Sequence, residues 1–107
     1  MVYMEDLSVF VIANLTIHDP VPYRVYEKGF FPLLKKYGGE FITYDDNPMT
    51  LEGINPRFGR MILFKFPSEE NAKNWYHDPD YQSLINNRLL GTTLEFLTII
   101  HGIETRK

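Results

Sequence analysis

Arg88 is the residue whose type and position point most directly to chemistry. It recurs at helical spacing with Tyr81, Leu84 and Ile85, so its guanidinium shares one helix face with an aromatic ring. A guanidinium held in place beside an aromatic side chain is well suited to bind a carboxylate or an enolate. The sequence therefore predicts Arg88 as a catalytic and ligand-binding residue. The alternatives are a side chain that snorkels from the helix edge, or a structural ion pair with Glu52 or another acid.

Four other side chains are candidates for the same site. Trp75 and Tyr81 are predicted to contact the ring of a ligand, although Trp75 also fits a core position and the Tyr81 hydroxyl also fits a structural hydrogen bond. His18 ends the first predicted strand, where an imidazole could accept a proton, while a capping or surface role is the simpler interpretation. Asn14 lies on the strand face that would line a barrel, where its amide could polarise a ligand carbonyl or bond a neighbouring strand. His18 and Asn14 are therefore predicted, with Arg88, as catalytic residues.

The sequence predicts neither a metal site nor a cofactor. His18, His77 and His101 lack the spacing of a zinc-binding helix motif, and the turn at residues 45–48 lacks the glycine and glutamate of a calcium loop. No glycine-rich phosphate loop, serine elbow or haem attachment pair occurs. If the protein is an enzyme, its chemistry is expected to need positioning and charge stabilisation alone.

Composition and charge exclude several classes of partner. The net charge is −3 and the 11 lysines and arginines are scattered, so nucleic acid is not expected as a partner. The chain has no cysteine, which removes disulfides and thiolate chemistry and fits a reducing compartment. The first apolar run follows Glu5 and Asp6, which is the wrong flank for a signal peptide, and no run reaches membrane-spanning length. We therefore expect a cytoplasmic protein that binds no membrane.

The elements that must position these residues follow a pattern that occurs twice: a β-rich run, a helical run and another β-rich run. The first copy covers residues 8–17, 21–37 and 40–44, and the second covers 60–66, 69–90 and 93–101. This βαββαβ order predicts an α+β ferredoxin-like sandwich with an antiparallel sheet, in a single domain of residues 1–107 whose ends, 1–6 and 103–107, are flexible. Asp78-Pro79 predicts a second start within the second helical run, and Pro32 predicts a kink or restart in the first.

The first, third and last predicted strands carry large apolar side chains on both faces. Helices can cover only one face of such a sheet, and the other face would leave more apolar surface than a soluble monomer tolerates. We therefore expect two subunits to pack sheet against sheet as a dimeric α/β barrel. The alternatives are that some of these side chains point into loops, or that the irregular segment 45–58 folds back over the sheet.

A group of residues spread along the chain is similar to the DUF1330 family of the dimeric α/β-barrel superfamily. The matching residues are Asp19-Pro20, Tyr23, Tyr26, Pro32-Leu33, Tyr37-Gly38-Gly39, Leu51-Glu52-Gly53, Phe66-Pro67-Ser68, Ala72, Trp75-Tyr76, Pro79, Tyr81, Leu84 and Arg88. The resemblance implies a homodimer, in agreement with the argument from the strands. The superfamily includes cofactor-free monooxygenases, small isomerases, haem peroxidases and ligand-binding modules, so fold alone leaves function open.

These observations lead to one expectation and one alternative. We expect a homodimer that binds a small aromatic or acidic organic molecule between the sheet and the second helix, with cofactor-free oxygenase-like or isomerase-like chemistry if it is an enzyme. The alternative is a non-catalytic binding or assembly module whose apolar sheet face serves only dimerisation.

Overall fold

The computed structural model describes residues 7–103, which form four strands and three helices. The predicted flexible ends, 1–6 and all but the first residue of 103–107, lie outside this range. The elements in chain order are β1 (Val9–Ile17), α1 (Pro20–Lys36), β2 (Glu40–Asp45), β3 (Arg60–Phe66), α2 (Glu69–His77), α3 (Pro79–Gly91) and β4 (Thr92–His101). Their order and bounds confirm the pattern predicted from the sequence, with the second helical run divided in two at Asp78.

Local signals explain where the helices begin and end. The Asp19 carboxylate accepts a hydrogen bond from the backbone N–H of Val21 at 3.0 Å, and Ser68 caps α2 in the same way. Gly38, with a φ of 74°, ends the turn after α1 in a left-handed conformation that glycine adopts without strain. α1 contains Pro32 but does not restart there.

The strands form one antiparallel sheet in the order β2-β3-β1-β4, which makes β2 and β4 its edges. With the two intervening helical units, this arrangement is the ferredoxin-like α+β fold. Residues paired across β1, β3 and β4 share a face, so Val11 lies between Phe64 and Ile99 on the side that the helices cover. The core forms there, between β1, β3 and aromatic residues of all three helices.

The opposite side of the sheet, which we call the open face, is also apolar. Register places Ile12 between Leu63 and Thr98 on that face, and the same alternation puts further large side chains beside them. The apolar members of the open face are Phe10, Ile12, Met61, Leu63, Phe96 and Ile100. None of them belongs to the buried cluster that the helices complete. The prediction that both strand faces are apolar is therefore confirmed.

One detail differs from the sequence-based expectation, and the alternative cover for the sheet is formed only in part. Strict alternation places Leu94 on the same face as Phe96, but a bulge at this point of β4 pairs Leu94 with Leu15 and turns its side chain to the core. Segment 46–59 reaches the open face near its end, where the Arg57 guanidinium carbon lies 6.0 Å from the ring centroid of Phe96, but it does not cover the sheet as a whole, since Leu51 and Ile54 are almost fully exposed.

Asp78 is the buried polar residue that joins the helices. Its carboxylate accepts hydrogen bonds from the Tyr37 hydroxyl at 2.5 Å and from Lys36 Nζ at 3.1 Å, and from the backbone N–H of Asp80 at 2.7 Å. These bonds, led by that of Tyr37, lower the pKa of the carboxyl to about 2. One side chain therefore caps α3 and ties the end of α1 to the junction of α2 and α3.

We predict that Asp78→Ala lowers the melting temperature clearly more than Asp19→Ala, because both remove an N-cap before a proline but only Asp78 is buried and bound by two other side chains. Loss of a cap alone corresponds to a shift of roughly 4–8 °C. Because the folded pKa of Asp78 is depressed, its contribution is full above the unfolded value near 4 and is lost as pH falls toward about 2. Thermal unfolding from pH 7 to pH 2 tests this; a difference between wild type and Asp78→Ala that stays constant with pH contradicts it.

Candidate functional site

Arg88 is a buried cation. It lies in the last turn of α3 with 5% of its surface exposed. No carboxylate of residues 7–103 lies within ion-pair distance of it, and its Nε is fully buried without a hydrogen-bond partner. The guanidinium carbon lies 5.6 Å from the ring centroid of Tyr26, close enough for a cation–π contact. The ion pair with Glu52 that the sequence left open is not formed.

Aromatic residues from the three helices surround Arg88. The hydroxyls of Tyr26 on α1 and Tyr81 on α3 are 2.7 Å apart and form a buried hydrogen bond. Trp75 on α2 packs on Tyr81 with ring centroids 4.3 Å apart. Its indole N–H is buried and, like Arg88 Nε, has no partner among the described residues. The site therefore contains two buried donors that nothing in the described chain satisfies.

Two spaces meet at Arg88. The outer cleft, of about 400 Å³, lies between β4 and helices α2 and α3. The inner cavity, of about 50 Å³, lies between the sheet and α1. Both are lined by Arg88, Leu94 and Leu97. The remaining lining residues of the outer cleft are Val11, Trp75, Tyr76 and Ile99. The larger space is within the usual size of a ligand site, roughly 300–1,000 Å³, and the smaller holds one or two waters or part of a ligand.

A charged cluster closes the far side of the inner cavity, where α1 faces the edge strand β2. Arg60 donates from Nε and Nη2 to the two carboxylate oxygens of Asp46 at 2.6 and 3.0 Å, and from Nη1 to Glu27 at 3.2 Å. Its guanidinium also lies over the ring of Tyr44, 4.3 Å from the centroid. The bond from Arg60 lowers the pKa of Asp46. Arg60, Glu27 and Tyr44 all line the inner cavity.

The phenols of Tyr23, Tyr26 and Tyr81 stay protonated at neutral pH. Burial is the main cause that raises the pKa of Tyr26, helped by the neighbouring Tyr81, and burial also raises the pKa of Tyr23 and Tyr81. A protonated phenol donates a hydrogen bond and does not act as a base. These residues therefore supply aromatic walls and hydrogen bonds.

The structure brings together three of the five residues predicted from the sequence. Trp75 and Arg88 line the outer cleft, and Tyr81 lies buried against Trp75. Asn14 lies on the open face of the sheet and lines neither space; its amide donates to the backbone carbonyls of Phe58 and Arg60 at 2.8 and 3.2 Å.

His18 is exposed at the end of β1 and its Nε2 lies 2.5 Å from the Thr93 hydroxyl, again away from both spaces. The catalytic roles predicted for His18 and Asn14 therefore have no support from this geometry. A role as a structural amide, which the sequence left open for Asn14, agrees with its contacts.

Sequence reasoning missed Arg60 and Glu27. Arg60 alternates with Ile62, Phe64 and Phe66 and so points a charge to the core face of β3, a placement that is rare without a partner. That alternation could have identified it. Glu27 carries no such signal, because an acid beside Tyr26 on a helix is ordinary surface patterning.

Within residues 7–103, no group of three or more histidine, aspartate or glutamate side chains is arranged to hold a metal ion. No helix of that range combines the length and apolar character needed to cross a membrane.

Comparison with known proteins gives a family and a fold. A family model described as "Domain of unknown function (DUF1330)" matches residues 8–103. The RPA0582 protein of unknown function from Rhodopseudomonas palustris is 13% identical, with a TM-score of 0.73 over 94% of this chain and 85% of that one. SnoaB from Streptomyces nogalater, described as a cofactor-independent oxygenase, is 10% identical, with a TM-score of 0.63 over 92% and 96%.

HapK from Hahella chejuensis is 8% identical, with a TM-score of 0.57 over 92% of this chain and 96% of that one. At such low identity these likenesses show a shared fold and leave function open. Comparison with curated proteins gives no match.

We predict that the Tyr26–Tyr81 hydrogen bond stabilises the site as a unit. Tyr81→Phe leaves the Tyr26 hydroxyl buried without a partner, which should lower the free energy of unfolding by about 1–3 kcal/mol. The double variant Tyr26→Phe/Tyr81→Phe should cost less than the two single variants together, with a coupling of at least about 0.5 kcal/mol. Urea unfolding measures all three, and the half-exposed Tyr76→Phe is the control. Additive losses would show that the two hydroxyls act independently.

Proposed function

The chain belongs to the DUF1330 family, and we propose that it binds a small planar organic anion at Arg88, between the sheet and helices α2 and α3, as one subunit of a homodimer. The observation that carries this proposal is the pair of buried donors, Arg88 Nε and Trp75 Nε1, that lack partners beside one cleft. Buried donors are nearly always satisfied in folded proteins. Both atoms are closed to solvent, so a ligand that presents acceptor oxygens would satisfy them once side chains of the cleft shift on binding.

Charge supports an anion over a neutral ligand. Arg88 is buried and has no acid partner among residues 7–103, a state that costs free energy unless a negative group compensates it. A carboxylate or enolate can accept two parallel hydrogen bonds from a guanidinium. In this proposal the ligand therefore supplies the negative charge that no acid of residues 7–103 provides beside Arg88.

The walls of the cleft favour a planar ligand. Trp75 and Tyr76 form one side and the apolar side chains of β4 form the other. Aromatic rings between such surfaces stack or pack edge to face. In this proposal Arg88 binds the acidic end, Trp75 contacts the ring, and Tyr81 supports Trp75 by packing on it with ring centroids 4.3 Å apart. His18 and Asn14 take no part.

If the protein is an enzyme, we favour cofactor-free chemistry through a stabilised enolate. The similar fold of SnoaB, which is described as a cofactor-independent oxygenase, is compatible with this class. Arg88 would stabilise the negative oxygen, as oxygenation or isomerisation of a carbonyl compound requires. Because the chain lacks cysteine, we place this activity in a reducing compartment, the cytoplasm.

The open face supports a homodimer. Its six large apolar residues lie on the side of the sheet that the helices leave uncovered, and such a patch in a soluble protein marks an interaction surface. A second copy related by a two-fold axis brings the same patch against itself. The alternative function, an assembly module without a ligand, depends on this face alone and makes no use of Arg88.

We predict that an aromatic acid such as salicylate or phenylpyruvate raises the melting temperature of the wild type and binds Arg88→Met at least about tenfold more weakly, because a charge-assisted hydrogen bond is lost. Without ligand, Arg88→Met should be as stable as the wild type or more so, since it removes a buried unpaired charge. The exposed Arg24→Met is the matched control and should bind as the wild type does. Thermal shift and calorimetric titration measure both effects; equal binding by all three proteins, or none by any, would favour the assembly module.

We predict that the wild type sediments as two subunits at micromolar concentration and that Leu63→Glu sediments as one, because the variant places a charge at the centre of the open face. Val25→Glu, on the exposed side of α1, is the control and should remain dimeric. Sedimentation velocity distinguishes the two states. A wild type that sediments as single subunits contradicts the proposed dimer.

A further inference from the structure

The inner cavity has one carboxylate in its wall. Glu27 is the only acid among the residues that line either the inner cavity or the outer cleft. Its Oε2 accepts the hydrogen bond from Arg60 Nη1 at 3.2 Å, while its Oε1 has no hydrogen-bond partner in residues 7–103. The side chain is 38% exposed, at the edge of the cavity. One oxygen is therefore held in place and the other is available to accept a proton.

Arg60 fixes the orientation of Glu27. Because Asp46 takes Nε and Nη2 as a two-point pair, only Nη1 is turned toward α1. The guanidinium is also held over Tyr44 and lies 5.7 Å from the ring centroid of Tyr23. Asp46 and Glu27 together bring two negative charges to the single positive charge of Arg60. The cluster therefore has no excess of positive charge at the cavity edge.

Glu27 shares its cavity with the proposed anion anchor. Arg88 lines the same space, and its guanidinium carbon lies 5.6 Å from the ring of Tyr26, the residue that precedes Glu27 on α1. The other groups that could accept a proton do not compete: the phenols of Tyr23 and Tyr26 stay protonated, and His18 lies outside both spaces. A base and a cation thus face one aromatic space from different sides.

We propose that Glu27 is a catalytic base that removes a proton from a carbon next to a carbonyl group, and that the substrates are planar carbonyl compounds with an acidic group, such as 2-oxo acids. Glu27 Oε1 takes the proton, the electron pair of the C–H bond moves into the carbonyl, and the oxygen becomes an enolate stabilised by Arg88. Return of the proton to the same carbon gives exchange, and its return elsewhere gives an isomer. No electron leaves the substrate, so no oxidant or cofactor is required. The inference rests on the proposed function, because the anionic end must bind at Arg88, where the two spaces meet. In the reacting pose the methylene carbon and its ring enter the inner cavity beside Tyr23 and Tyr26, so the ring leaves the Trp75 wall of the outer cleft.

The experiment is deuterium exchange into phenylpyruvate in heavy water, followed by loss of the methylene proton signal in NMR spectra. We expect the wild type to accelerate the exchange and Glu27→Gln to lower that acceleration by about 10²-fold, the usual contribution of a general base. The amide oxygen of glutamine still accepts a bond from Arg60, so the fold and the binding of phenylpyruvate should be kept. Glu27→Asp, whose carboxylate reaches one methylene less far, should lose less. Glu52→Gln, an exposed acid outside both spaces, is the control and should exchange as the wild type does.

A second readout separates a base from a structural role. Exchange at saturating phenylpyruvate should fall in Glu27→Gln while the affinity for phenylpyruvate stays that of the wild type, whereas a structural role of Glu27 would weaken both. Binding of phenylpyruvate, measured by thermal shift, is followed in parallel. Binding by the wild type without exchange, or equal exchange in the wild type and Glu27→Gln, overturns the inference and leaves the proposed function intact. Failure of the wild type to bind phenylpyruvate or any other aromatic acid overturns the proposed function itself.

Discussion

The burial of one positive charge among aromatic side chains is the constraint on which the rest of the site depends. Arg88 is surrounded by Tyr26, Tyr81 and Trp75, yet no acid of the described chain neutralises it. A guanidinium in such surroundings costs free energy, which the packing of the rings and the hydrogen bond between the two tyrosines must offset. The fold therefore maintains a local state that is unfavourable unless a negative group compensates Arg88, which is the role given to the proposed ligand.

The same tyrosine pair determines how the two spaces meet. Tyr26 belongs to α1 and Tyr81 to α3, so their bond fixes the two helices against each other at the level of Arg88. The backbone N–H groups of His18 and Asp19 add a second link, because both donate to the carbonyl of Gly91 at the end of α3. The inner cavity on the α1 side and the outer cleft on the α3 side consequently share one wall, and the ligand proposed to bind there would have access to both.

Sequence reasoning reached the parts of this arrangement that depend on local periodicity. The strands and helices, the two-faced apolar sheet and the buried face that carries Tyr81 and Arg88 all follow from spacing within single elements. The cluster at the cavity edge joins Glu27, Asp46 and Arg60 from three different segments, and such long-range pairing leaves no local signal. The bulge in β4 was missed for the same reason, since only the register against β1 reveals it.

Asn14 connects the open face of the sheet to the cavity edge on the other side. Its buried amide holds the backbone carbonyls of Phe58 and Arg60, and so fixes the start of β3 from which the Arg60 side chain extends toward Glu27. Gly59 lies between these carbonyls with a φ of 78°, and a Cβ there would approach a carbonyl oxygen of β1 to 2.5 Å. This close approach requires glycine. Asn14 is 1% exposed, so its amide is already shielded from water, and a second subunit packed on the open face would further restrict the movement of the strand that it holds. Dimerisation would then affect the position of Glu27, the proposed base, through β3 and the Arg60 side chain that β3 carries.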